Sequence, residues 1–427
     1  MATSTTWTTI LDYILDKVED LGYKFTGTST SGVATTTTTD AELNKGGTAA
    51  ATARFANAIL YIPTGTGVNQ IRSVTTISVS GATTTITGLG NFDATYTSVA
   101  HYLLALSPDW LRRQGNNALR DITVECMEWL VHGPASANMQ GSTVDADWTE
   151  SGATDTVQTT AAEVAFGQQS LVVTAAGAGD YTQSALAPLG QGRRVRLHGI
   201  VKADTGTAIL RALDGSGNVQ DSIQTTQEDW VYLSKTVSFD SADEQIRLRL
   251  VASAASDSLD CNLAGYVKEG IRRFPLPSYL DERFKIKAVC QAIFHEAGSE
   301  ADTWLYDSME EKRLAEGEDY RFVSRMADAN PHAIVFEPHI DLTQPYYLII
   351  EAPYDSPYGV STTFTADTST TYCPLLLIAP YVMMLIGRAH PSTWPGLAEA
   401  GEAEYHQRRT VRITAPPLKK QRVRNVF

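Results

Sequence analysis

Arg196-Leu-His-Gly-Ile-Val-Lys202, Trp230-Val-Tyr-Leu233 and Ile246-Arg-Leu-Arg-Leu250 are the stretches that decide the fold. In each, apolar residues recur at the two-residue period of a strand with one buried face. The same short runs, separated by Gly, Asp, Ser and Asn, extend over residues 138–268, about 130 residues that read as a self-contained β-sandwich. Outward from it the period changes to that of helices. The flanks, residues 1–137 and 269–427, read as the two halves of one discontinuous helical and β domain that the sandwich interrupts. The fold class expected is therefore α+β, with an all-β insertion.

Towards the N-terminus, Ile10, Leu11, Ile14, Leu15, Val18 and Leu21 recur at three- and four-residue steps, with Gly22 as a stop, which predicts an amphipathic helix. Residues 26–39, ending in five consecutive threonines, read as a loop or arm, because β-branched chains resist helix and offer little to bury. Residues 58–63, 70–79 and 83–87 predict a small antiparallel unit. Ser107-Pro108-Asp109 is a helix start, serine as N-cap and proline at the first helical position. Trp110, Leu111, Leu119, Ile122, Cys126, Trp129 and Leu130 continue that helix on one face up to Gly133-Pro134. Beyond the sandwich, Phe284, Ile286, Ala288, Cys290, Ala292 and Phe294 alternate as a strand, and a charged helix is expected over residues 302–327. Strands at 333–336 and 346–351, an apolar helix from Pro374 and a last helix over 396–409 complete the reading.

With 427 residues, 43% of them hydrophobic and 19% charged, the chain supports two or three packed domains. Cys126, Cys261, Cys290 and Cys373 lie far apart, which argues against a disulfide framework or a zinc ribbon and fits a reducing compartment or indifference to redox. A net charge of −14 argues against broad wrapping of nucleic acid. The exception is local: Arg408, Arg409, Arg412, Lys419, Lys420, Arg422 and Arg424 are seven cations with no carboxylate among them, which leaves the rest of the chain near −21. This segment, with Val423, Val426 and Phe427 as apolar anchors, suits a docking arm for an acidic partner; a solvated end and contact with DNA in a ring lumen are the alternatives.

Residues 1–7 show no secretory signal, and the apolar run 373–386, broken by Pro374 and Pro380, is too short to cross a bilayer, so no membrane partner is expected. Catalytic signatures are missing. His295-Glu296 lacks a second histidine four residues on, Gly65-Thr-Gly67 lacks the Lys-Ser/Thr of a phosphate loop, and no Gly-x-Ser-x-Gly occurs. Glu310-Glu311 and the pair Glu402 and Glu404 read as solvated helix faces. The chain is expected to be no enzyme.

Asp147-Trp148, Gly167-Gln-Gln-Ser170-Leu-Val-Val173, Tyr181-Thr-Gln183, the three stretches quoted first, and Asp260 together resemble the jelly-roll carbohydrate-binding modules of the galactose-binding-like type. That resemblance implies Trp148, Tyr181 and Trp230 as glycan-contact aromatics and Asp260 as a ligand of a structural calcium. The bland reading stands beside it: rings in a β-sandwich are usually core, and Trp148 and Trp230 are read first as buried. The flanks, through residues 57–62 and 70–77, Pro108-Asp-Trp-Leu111, Asn117-Ala-Leu-Arg120-Asp-Ile122, Phe274-Pro-Leu-Pro277 and Tyr346-Tyr-Leu-Ile349, resemble head-tail adaptor (neck) proteins of tailed bacteriophages. This second resemblance implies a virion protein made in the host cytoplasm. It implies a homo-oligomeric ring, twelvefold in the family, between portal protein and tail or further neck proteins, docking through the basic C-terminal arm. The alternative is an adhesin or receptor binder that works through the sandwich on a host-surface glycan.

Overall fold

A computed structural model of the chain describes residues 5–18, 22–29, 35–38, 55, 58–62, 70–80, 83–88, 99–134, 137–139, 147–158, 164–166, 169–190, 193–240, 243–276, 284–324, 332–355, 364–365, 369–371, 373–392 and 394–414. These fall into two compact units, one formed by residues 3–122 with 361–416 and the other by residues 123–360. The boundaries expected at 137/138 and 268/269 both lie inside the second unit.

The first unit joins a small barrel to a helical layer. β1 (Thr5–Thr6) pairs with β27 (Thr370–Thr371) and leads into α1 (Trp7–Lys17), where Thr6 Oγ1 accepts from Thr9 N at 3.2 Å as the N-cap. Trp7, Ile10, Leu11, Ile14 and Leu15 are its buried face, so the predicted amphipathic helix is present but begins and ends earlier than the sequence suggests. Next come β2 (Gly22–Ser29), β3 (Thr35–Thr38), β4 (Ile59–Tyr61), β5 (Ile71–Ser80), β6 (Thr83–Gly88) and β7 (Val99–Leu104), closed into a barrel in the order β2-β3-β6-β5-β4-β7. The threonine-rich segment expected as a loop or arm therefore supplies two barrel strands. Thr36–Thr38 pair with Gly27–Ser29 on one side and Thr35–Thr38 with Thr84–Thr87 on the other. A closed barrel satisfies the backbone of each strand from both edges, so β-branched residues that favour extended chain need little apolarity to hold it.

α2 (Pro108–Asp121) has Pro108 in its first turn as predicted, although Ser107 makes no side-chain cap bond. It ends at Asp121, not at Gly133, because Thr123–Trp129 is a strand. α3 (Leu375–Ala389) and α4 (Leu397–Thr414) close the unit, the first apolar on nearly every side and the second charged. They approach closely at glycine: a Cβ on Gly401 would lie 2.6 Å from both Pro380 O and Met384 N of α3. Backbone atoms cannot step aside as a side chain can, so Gly401→Ala should cost about 1–3 kcal/mol, read as a lower urea midpoint for this unit.

The second unit is a stack of sheets. β8 (Thr123–Trp129), β9 (Trp148–Ser151), β10 (Ala153–Gln158), β11 (Ser170–Ala175), β12 (Tyr181–Ser184), β13 (Ala187–Pro188), β14 (Arg194–Thr205) and β15 (Ala208–Asp214) come first in the chain. They are followed by β16 (Val219–Thr225), β17 (Val231–Ser238), β18 (Gln245–Ala252), β19 (Ser258–Lys268), β20 (Arg273–Pro275) and β21 (Lys285–Phe294). β22 (Thr303–Leu305), β23 (Met309–Arg313), β24 (Tyr320–Ser324), β25 (His332–Phe336) and β26 (Tyr346–Pro353) complete it.

The expected sandwich is present as two six-stranded sheets. A front sheet runs β16-β15-β18-β12-β9, with β13 also on β18, and a middle sheet runs β10-β11-β19-β14-β17-β22. Leu197, Val201, Leu210, Leu233, Leu248, Leu250 and Leu259 fill the space between them. The pairings do not close the sandwich into a barrel. A back sheet, β23-β21-β26-β8, brings together chain from both sides of residues 138–268, and a three-stranded sheet β20-β25-β24 packs on it through Phe274, Ile334, Phe336 and Leu348.

Where a charged helix is expected over 302–327, the described residues up to Ser324 form β22, a single 3-10 turn, β23 and β24 instead. Its charges suit an edge strand, where like-minded pairing with another chain must be discouraged. Glu311 and Arg313, bound at 2.8 Å, share a face because they are two residues apart on a strand, and Gly317 at φ +86° turns the chain afterwards. Sandwich and flank are also stitched together locally. Asn138 Oδ1 accepts from Trp129 N at 2.7 Å, and Asn138 Nδ2 donates to Trp129 O at 3.1 Å and to Glu128 Oε1 at 3.0 Å.

Candidate functional site

The layering decides which face of the sandwich can meet a ligand. Ile200, Trp230, Tyr232 and Leu263 of the middle sheet lie against Ala288, Cys290, Tyr347 and Ile349 of the back sheet, so the middle sheet is buried on both faces. The front sheet packs one face against the middle sheet, and on its other face only Leu213 and Val251 are buried, among half-buried neighbours. On β18, Ile246, Leu248 and Leu250 are buried while Arg247 and Arg249 are half-buried, and on β15 Leu210 and Ala212 are buried while Ile209 and Arg211 are half-buried. β12 follows suit, Thr182 and Ser184 inward, Tyr181 and Gln183 outward.

Strand register sets these outward side chains in order. One row crosses the sheet as Ser222, Arg211, Arg249, Gln183 and Thr149. In the adjacent row Ile209, Val251, Tyr181 and Ser151 lie side by side. The Arg249 guanidinium lies over the Tyr181 ring, 3.7 Å from its centroid, and donates to Gln183 Oε1 at 3.0 Å. The guanidinium, stacked on the ring and bonded to the amide, thus forms with them one braced cluster on the outward face of the sheet. Burial above all, and then the charges of Arg211 and Arg247, hold Arg249 below the ordinary arginine value, although it remains a cation at any physiological pH. At the β16 edge a polar pocket of about 250 Å³ is lined by Ser222, Gln224, Lys235, Glu300 and Asp302, its lysine already held by Asp221 at 2.7 Å.

Of the expected glycan-contact aromatics, the structure leaves only Tyr181 facing outward. Trp148 is 2% exposed and belongs to the core between front and middle sheets. Trp230 is 8% exposed and is covered by the back sheet, so neither indole presents a face for a sugar. Asp260, expected as a calcium ligand, is buried against a lysine, its Oδ2 3.1 Å from Lys202 Nζ. An ammonium there meets the charge that a calcium would otherwise meet, and no cluster of three metal-ligating side chains occurs among the described residues. Of the basic arm, Arg408 and Arg409 are exposed on α4, while the side chain of Arg412, and Lys419, Lys420, Arg422, Arg424 and Phe427 altogether, lie outside the described residues. Sequence reasoning did not single out Arg211, Arg247, Arg249 or Gln183. Part of their signal was present in Ile246-Arg-Leu-Arg-Leu250, where cations take both positions between buried residues.

No family model and no curated protein matches this chain. Among solved structures, the chain is similar to a family 61 carbohydrate-binding module in complex with β-1,4-galactotriose, at 14% identity and TM-score 0.26, over 33% of this chain and 99% of that one. It is similar to the family 22 xylan-binding domain of Paenibacillus barcinonensis at 22% identity and TM-score 0.24, over 33% and 91%. The enzymatically active domain of tailspike protein 4 of bacteriophage CBA120 matches at 18% identity and TM-score 0.24, over 32% of this chain and only 22% of that one.

Proposed function

We propose that this protein binds carbohydrate through the outward face of its front sheet, as a receptor-binding component of a tailed-phage virion. The observation that carries the reading is the cluster of Tyr181, Arg249 and Gln183 on the one sandwich face that no described layer of the unit covers. The guanidinium takes one face of the half-buried Tyr181 ring, which leaves its other face and its edge for the C–H groups of a sugar, and planar guanidinium and amide groups match pairs of hydroxyls. The virion setting is supported by the resemblance of the flanks to neck proteins. Tyr181→Ala should weaken binding on a glycan array about tenfold or more with the unfolding midpoint nearly unchanged, the usual weight of an aromatic anchor. Trp148→Ala and Trp230→Ala should instead lower stability. Unchanged glycan binding by the Tyr181 variant would remove the reading.

The connector reading is a second one, favoured by the first unit, in which two remote chain segments make a single body whose last helix carries exposed Arg408 and Arg409 into the basic segment. In it the protein is a ring subunit docking on the portal through residues 408–427, and it acts by assembly without catalysis. Particles that incorporate a chain lacking residues 419–427 as well as the full one would count against the arm.

A further inference from the structure

We propose that the front-sheet face selects anionic glycans, with Arg211, Arg247 and Arg249 receiving the carboxylate or sulfate groups of an acidic polysaccharide. This rests on carbohydrate recognition at the same face and adds its chemical class. Arg211 and Arg249 stand directly opposite one another across β15 and β18. Arg247 lies two residues along β18 on the same face, about 7 Å from Arg249. Like charges set opposite each other in a sheet repel, and proteins ordinarily intersperse them with carboxylates. Here the chain has carboxylates to spare, 48 against 34 cations, yet no ion pair among the described residues involves any of the three arginines.

The acidic groups nearest in strand order are occupied elsewhere. Asp221 binds Lys235 Nζ at 2.7 Å, Glu150 Oε1 accepts from Asp155 N at 2.6 Å, and Asp214 holds the backbone and side chain of Asn218 at 2.8 Å. The Nε–H groups of Arg247 and Arg249 are buried and find no acceptor. Those two Nε–H groups are enclosed, so an oxyanion arriving from solvent meets the outer guanidinium nitrogens instead, where it relieves the mutual repulsion of the arginines. The guanidinium braced on Tyr181 is already oriented, so little freedom is lost when an anion docks. In a chain of net charge −14, such a cluster also localises attraction to one face and leaves the remainder repulsive to polyanions.

The test is binding of the full chain to polygalacturonate, dextran sulfate, neutral xylan and neutral galactan, with polyglutamate as a polyanion that is not a sugar. Wild type, Arg211→Gln, Arg249→Gln and Tyr181→Ala are compared, each with its thermal midpoint. The expected result is retention of at least one acidic glycan and weak or no retention of the neutral ones. Affinity should fall about tenfold or more between about 50 and about 300 mM salt, and Arg211→Gln, a change at a half-buried surface position, should lose about tenfold with an unchanged midpoint. Preference for polygalacturonate assigns the arginines to carboxylate, and preference for dextran sulfate assigns them to sulfate. Neutral glycans bound as well as acidic ones, with Arg211→Gln silent, would overturn the acidic class and leave carbohydrate binding standing. Polyglutamate bound as well as the acidic glycans would reduce the face to a general anion patch and overturn the proposal. Binding to none of the glycans would overturn both this inference and the function it rests on.

Discussion

Tyr232→Ala should destabilise the sandwich-bearing unit by about 3–5 kcal/mol, the range for removing a large buried aromatic. Tyr232 is 3% exposed, on the side of the middle sheet that meets the back sheet. Its ring stacks on Phe294 of β21 with centroids 4.4 Å apart and planes within 5°, and lies 6.3 Å from Trp129 of β8 and 5.7 Å from Trp304 of β22. Its hydroxyl is 2.5 Å from His198 Nδ1. Alanine would open a cavity between layers and leave that imidazole nitrogen buried without its partner, so transfer, cavity and hydrogen-bond costs act in the same direction. Tyr232→Phe, which keeps the ring, should cost only about 1–2 kcal/mol. Urea unfolding followed by tryptophan fluorescence reads both, since Trp129, Trp230 and Trp304 surround the site. A loss below about 1 kcal/mol for Tyr232→Ala would mean that the layers are not tightly packed on each other.

That interface also explains what could be read from the sequence and what could not. The sandwich was legible because its strands bury one face in the regular manner, as in Ile246-Arg-Leu-Arg-Leu250, where the apolar positions are the buried ones. The fate of Trp230 was not, because what covers it comes from residues 123–129, 285–294 and 346–353, outside the sandwich segment altogether. The helical reading past Asp121 failed for a related reason: Ile122, Cys126, Trp129 and Leu130 also fit a strand that is buried on parts of both faces, and only pairing with Tyr347–Pro353 distinguishes the two. In residues 302–327 the charges that suggested a solvated helix belong to an edge strand, an equally solvated place.

The candidate site was legible only in part. Tyr181 was reached through its motif, while the arginines beside it were passed over as the polar half of an alternating strand. Two facts set them apart from ordinary surface cations: they neighbour one another across strands, and among the described residues no carboxylate pairs with them. Neither is a property of any one segment. The open face is a consequence of layer order too, since a back sheet on the other side would have left Trp230 exposed and buried the arginines. The recognition proposed for this face therefore depends on which sheet the flanking strands cover.

The same layering should make the second unit lose stability in acid. His198, buried on the middle sheet, is pulled down to about 3, first by burial and then by the charges of Arg196 and His132. His132, which accepts from Lys268 N at 2.9 Å, is pulled down to about 4 by burial and by Lys268. Both rings are neutral in the folded state throughout the range in which an unfolded chain, titrating near 6.5, takes up a proton on each. Below that value the unfolded state binds more protons, so the stabilisation these groups supply is complete above pH 6.5 and falls as the pH drops towards their folded values. Each contributes about 1.4 kcal/mol per pH unit, or together on the order of 5 kcal/mol between pH 7 and about pH 4.5. Urea midpoints at those two pH values should differ accordingly. His198→Gln, whose amide can still meet the Tyr232 hydroxyl, should roughly halve the slope around pH 5.5 to 6.5, where most carboxylates remain ionised. Equal midpoints at about pH 5 and pH 7 would show that at least one ring is protonated without leaving the fold, and the tight seal between middle and back sheets would have to be abandoned.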